Sequence, residues 1–154
     1  MEIKRSPLIY EDFVILDSHI QTIVKDNSVK CDLDNIPLEI DFETLVSKDN
    51  DEKYNLALNI NGNDIKNPVM GYKFSIIANG FFELKKINED NEDKANQFLL
   101  YSALPMLISS VRNYLINITS YAPYGKYILP AIDLPDLIKQ KFENMNSSDN
   151  DVKI

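Results

Sequence analysis

The chain contains one histidine, His19, and one cysteine, Cys31, and that scarcity limits the chemistry open to it. A thiol nucleophile needs a base within hydrogen-bond reach, and His19 is the only imidazole that could serve. The plainer expectation is structural for both. Cys31 reads as a small buried or surface residue, and His19 as a polar residue on the exposed side of a strand. A His/Cys metal site cannot be assembled within one chain from this pair, and a lone cysteine leaves no internal disulfide. Asp32 and Asp34 flank Leu33, but a calcium loop requires a longer run of oxygen ligands and a glycine, so a solvated turn is expected. The four glycines, Gly62, Gly71, Gly80 and Gly125, are scattered, so no phosphate-cradling loop is built. No Gly-x-Ser-x-Gly elbow occurs either. The residues point to a protein that is not an enzyme and uses no cofactor.

Two groups of residues suit binding instead. Glu39, Asp41 and Glu43 alternate with Leu38, Ile40 and Phe42, so the carboxylates share one face of a strand. That face is either solvated or an acidic docking surface for a basic partner. The second group is a connection rich in aromatic residues where loops are normally polar. Tyr121, Tyr124, Tyr127, Ile128 and Leu129 sit among Pro123, Gly125 and Pro130. They either cap the core or line a groove filled by another chain. Phe81 and Phe82 would help line it, since one of that adjacent pair must leave the core face of a strand.

These residues must be positioned by four strand-like stretches followed by two helix-like ones. The strands are expected at Asp12–Val24, Leu38–Leu45, Tyr54–Ile60 and Met70–Leu84. In the first, Val14, Leu16, Ile20 and Val24 would share a face, opposite Phe13, Ile15, Asp17, His19 and Gln21. Asp26-Asn27-Ser28 and the charged segment Ser47–Lys53 read as breaks. In the fourth, Tyr72, Phe74, Ile76 and Ala78 alternate, and Asn79-Gly80 reads as a bulge before Phe82 and Leu84. The third and fourth strands read as a hairpin. A helix capped near Asp93 would run to about Ile118, with Leu100, Leu104, Leu107, Ile108, Val111, Leu115 and Ile118 on one stripe. Pro105 would kink it or mark its true first turn. A short helix from Leu134-Pro135-Asp136 through Leu137, Ile138 and Phe142 follows. Residues 1–143 read as one domain, and the Asn/Ser/Asp-rich residues 144–154 as a flexible polar tail.

The fold class is therefore α+β, a four-stranded antiparallel sheet with one long and one short C-terminal helix. Two sheet faces and two edges are too much for these helices to cover, so self-association is expected. The net charge of −8, from 24 acidic and 16 basic residues, disfavours nucleic acid as a partner. The least charged run, Ala95–Val111, is too short and too polar for a membrane span. No signal-peptide core follows the N-terminal Lys4-Arg5, and a soluble, cytoplasmic protein is expected.

Several local patterns, in order, resemble the SecB family of protein-export chaperones. Tyr10–Ile20 resembles that family's opening strand. Gly80-Phe81-Phe82-Glu83-Leu84 is similar to the glycine-aromatic turn at the end of its last strand. Leu107-Ile-Ser-Ser-Val-Arg112 resembles its Leu-x-x-x-x-Arg helix segment, and Ile128-Leu129-Pro130-Ala131-Ile132-Asp133-Leu134 resembles the loop into its last helix. The resemblance covers most of Leu8–Phe142. It implies a homotetramer built as a dimer of dimers, holding unfolded polypeptide without ATP. It also implies docking of the translocase motor SecA on the acidic sheet face, for which Glu39, Asp41 and Glu43 are the candidates. SecB-like relatives of toxin–antitoxin systems serve one antitoxin instead. The client groove would be lined by Phe81, Phe82, Tyr121, Tyr124, Tyr127, Ile128, Leu129, Leu137, Ile138 and Phe142. A scaffold that oligomerises without holding a client is the competing expectation.

Overall fold

The computed structural model describes residues 2–25, 30–47, 50, 52–85 and 96–150, with the side chains of 146–150 left out of account. Strands β1 (Leu8–Ile23), β2 (Leu38–Val46), β3 (Lys53–Gly62) and β4 (Gly71–Leu84) precede helices α1 (Leu104–Thr119) and α2 (Leu134–Asn150). The four strands form one antiparallel sheet in the order β1-β4-β3-β2. This is the α+β architecture expected from the alternation. The helical stretch 96–119 is the longer of the two, and α2 runs beyond Phe142 to Asn150. The expected cap at Asp93 and the break at Asp26-Asn27-Ser28 lie outside the described residues.

Period-two alternation places the core. Leu56, Leu58 and Ile60 of β3 and Tyr72, Phe74, Ile76, Ala78 and Phe82 of β4 all point to the inner face and are buried there. Phe42 of the edge strand β2 is also buried, opposite Leu58. Leu104, Leu107, Val111 and Leu115 of α1 close this layer from above. Sheet and helix thus bury the two apolar faces that neither could hide alone.

β1 departs from its expected pattern. Its register against β4 shifts between Tyr10 and Asp12 and again between Ile15 and Asp17. Each shift inserts one extra residue, and a one-residue slip moves every following side chain to the other face. Phe13 and Ile15 therefore pack against the core, while Val14 and Leu16 are exposed. After the second bulge the order reverses, and Ser18, Ile20 and Thr22 stand opposite the inner-face residues Ile76, Phe74 and Tyr72. The uniform alternation expected through Asp12–Val24 is corrected on this point. The bulges also belong to β1 and not to Asn79-Gly80, which keeps regular pairing with both neighbours.

Pro105 is accommodated by a wide turn. Leu99–Ala103 forms one π-helical turn ahead of α1, and the Leu104 N–H donates to the Leu99 carbonyl, five residues back. A proline inside a regular α-helix loses a hydrogen bond and its ring strikes the carbonyl four residues earlier. Placing the wider turn just before it puts Pro105 within the first turn of α1. Leu99 and Leu104 are 1% and 0% exposed. Five residues of regular α-helix would turn them about 140° apart.

Candidate functional site

The connection between the helices is pinned to the sheet by hydroxyl groups. The Tyr72 hydroxyl, on the inner face of β4, donates to the Gly125 carbonyl at 2.7 Å and accepts from the Tyr124 N–H at 2.9 Å. Gly125 has φ +78°, a conformation that favours glycine, which explains the residue at this bend. The Tyr124 hydroxyl donates to the Ile23 carbonyl at 3.3 Å, tying the loop to the end of β1. Thr119, buried at the end of α1, donates to the Leu115 carbonyl at 2.6 Å and accepts from the Tyr127 N–H at 2.7 Å.

Beyond this bend the chain runs extended beside α1. Arg112 holds it there, donating through Nε to the Leu129 carbonyl at 2.7 Å and through Nη2 to the Pro130 carbonyl at 3.0 Å. Tyr127 and Leu129 face the core, and Ile128 and Pro130 face outward. Arg112→Met is expected to lower the free energy of unfolding by about 1.5–3 kcal/mol, because it removes hydrogen bonds from a charged donor. Urea unfolding measures this, and Arg112→Lys should recover part of the loss.

The loop residues named from the sequence therefore separate. Tyr127 is 2% exposed and its ring lies 5.1 Å from that of Phe74. Burial pushes its phenol up to about 12. Leu129 and Ile138 are buried as well, and Phe82 is stacked on Tyr10 with ring centroids 4.7 Å apart. These four side chains are packed within the subunit. Tyr121 is 100% exposed and Ile128 53%. Phe142, at 51%, lies on α2, where Met145 is also exposed. Tyr124 and Leu137 are half-buried against the core. Phe81 points to the outer face of the sheet, opposite in direction to Phe82.

Glu39, Asp41 and Glu43 line the outer face of β2 and are all exposed. Asp41 is paired with Lys141 of α2 at 2.6 Å. The same face carries Lys53, which meets Glu11 at 2.6 Å and Glu83 at 3.7 Å, joining three strands. Asp32 caps the short 3-10 turn Leu33–Asn35, accepting from the Asp34 N–H and from Asn35 Nδ2. Its carboxylate is spent within that turn. A cleft of about 610 Å³ beside it is lined by Lys30, Cys31, Asp32, Leu33, Asp34 and Tyr124. Burial, followed by the nearby Asp32 carboxylate, raises the Cys31 thiol above its ordinary value, which disfavours a reactive thiolate. Among the described residues no group of three or more His, Cys, Asp or Glu could hold a metal ion, and no helix is long and apolar enough to cross a membrane.

Nothing in the residue pattern alone singles out Tyr72 or Thr119 as site residues. Arg112 carried a usable signal. It is the only charged residue between Leu99 and Thr119, and a single charge on an otherwise uncharged helix calls for a partner.

Comparison with protein-family models and with curated proteins finds no match. Among solved structures, a Mycobacterium tuberculosis SecB-like chaperone in complex with a ChAD peptide from the antitoxin HigA1 aligns over 82% of this chain and 91% of that chain. The TM-score is 0.51 and the identity 10%. A protein of unknown function from Streptococcus agalactiae aligns over 81% of this chain and 97% of that one, with 13% identity and a TM-score of 0.36. The first of these likenesses gives the chain a SecB-like fold, as its residues suggested.

Proposed function

We propose that this chain is a SecB-like chaperone that holds extended, unfolded polypeptide on apolar side chains presented by the helix connection and α2. The observation that carries this reading is the division within the connection. Tyr127 and Leu129 are packed inside as a fixed base, while Tyr121 and Ile128 remain in solvent on the same short segment. Exposed Phe142 and Met145 extend the apolar supply along α2. An apolar stretch of an unfolded client gains about 25 cal/mol for each Å² it removes from water on such side chains, before ordering costs. Aromatic contacts tolerate many sequences because they are mostly non-directional. No ATP and no covalent step are needed.

The client is either general, a preprotein awaiting export, or dedicated, as an antitoxin would be. The SecB-like neighbour solved with an antitoxin peptide favours the dedicated form. In either form the subunits assemble as a homotetramer in the cytoplasm, and Glu39, Asp41 and Glu43 offer carboxylates to a basic segment of a partner such as SecA.

The test is suppression of light scattering from an aggregating client, read together with native mass. Tyr121→Ser with Ile128→Ser is expected to weaken client binding roughly tenfold, as loss of two exposed apolar anchors would. The urea midpoint should be nearly unchanged, since neither residue is buried. Absence of suppression by the wild-type protein at stoichiometric amounts would favour a scaffold without holdase activity. Capture of SecA against capture of one antitoxin separates the two client classes.

A further inference from the structure

α2 is held unevenly. Its first turns bury Ile138 and half-bury Leu134 and Leu137, whereas Phe142 and Met145, further along, stand in solvent. The change falls at Lys141. Its ammonium passes 5.9 Å from the centroid of Phe42, an inner-face residue of β2, and ends 2.6 Å from Oδ1 of Asp41, on the outer face. One side chain thus wraps the edge of the strand. That edge is otherwise regular, for β2 pairs with β3 in unbroken register from Leu38 to Val46, unlike the twice-bulged β1. A regular edge offers backbone groups to an incoming chain, and a lysine laid across it is one way to keep such an edge closed.

We propose that Lys141 is a latch that fastens α2 to β2, and that an extended client segment must displace it from Asp41 to reach Phe42, the inner-face ring it covers. The proposal rests on the client-binding reading above and adds a closed state to it. The contact suits a latch and not a permanent brace. Asp41 is largely exposed, and ion pairs of this kind are weak enough to open in water. Phe142 and Met145, just past the latch, are exposed while it is closed, so a client can meet them first and then compete for Phe42.

Two variants test it. Lys141→Met keeps an unbranched apolar stem over Phe42 and removes the charge, and Asp41→Asn removes the other partner. Hydrogen exchange of the α2 amides is the first readout. It should quicken roughly two- to fivefold in either variant, the range expected for losing an exposed ion pair, and no further in the double variant. Binding of reduced, carboxymethylated α-lactalbumin, a permanently unfolded probe, is the second. It should tighten by the same factor. Unchanged exchange in both single variants, or additive effects in the double variant, would overturn the latch. So would weaker probe binding by Lys141→Met at unchanged exchange, since Lys141 would then be a direct contact. If the wild-type protein fails to bind the probe, the client reading falls, and exchange alone still decides whether α2 is latched.

Discussion

Tyr127→Ala is expected to destabilise the fold by about 3–5 kcal/mol, the range for truncating a buried aromatic residue. The ring is 2% exposed, is tilted against Phe74 at 5.1 Å, and follows a backbone N–H fixed by the buried Thr119 hydroxyl. Alanine leaves a cavity on the inner face of the sheet and frees the connection where it leaves α1. Urea unfolding followed by circular dichroism checks the value. Tyr121→Ser in the same connection should stay within about 0.5 kcal/mol of wild type, as a fully exposed site should. Equal losses at the two positions would contradict the division of the connection into a packed half and a presented half. Tyr127 also makes stability fall with alkali. Its phenol is pushed up to about 12 in the fold, and so the unfolded chain, with a value of about 10, gives up its proton first. Stability contributed by the neutral phenol is intact below pH ~10 and is lost as pH rises towards ~12. Tyr127→Phe should flatten that slope.

Gly62→Ala is expected to cost about 3 kcal/mol, at the upper end of overpacking effects. Gly62 ends β3 directly opposite Phe74. A Cβ there would lie well inside the van der Waals contact distance of Phe74 Cε1 and Cζ. Phe74 has little room to yield, because it is buried and its ring packs against that of Tyr127. The two effects should therefore couple. In a Tyr127→Ala background the Phe74 ring gains space, and Gly62→Ala should cost less than it does in the wild type. Additive losses would show that the clash is relieved elsewhere.

The fold was legible where one side chain in two is apolar without interruption. β2, β3 and β4 keep strict alternation, and their inner faces lie where the pattern placed them. β1 was misread because alternation carries a face assignment only as far as the next extra residue. Nothing at Glu11 or Leu16 announces that the strand will bulge there. The candidate site was legible in composition but not in orientation. Tyr121 and Tyr127 are the same residue six positions apart in one loop, and their difference in burial comes from contacts made with Phe74 and Thr119, remote in sequence or set by the fold. Tyr72 and Arg112 were passed over for a related reason. Their partners are backbone carbonyls of the connection, which no side-chain motif records.

The π turn at Leu99–Ala103 bears on how a chain of this fold can change length. A π turn is a helix carrying one residue more than its regular hydrogen bonding needs. Deleting a residue there would close the ladder to ordinary α-helix without shortening any strand or moving α1 from the sheet. The deletion would also rotate everything before it by about 100° relative to α1, so Leu99 would swing off the sheet. Relatives lacking the turn would have to carry their apolar residue at a neighbouring position. An insertion or deletion inside this helix therefore re-draws which letters of the preceding segment must be greasy.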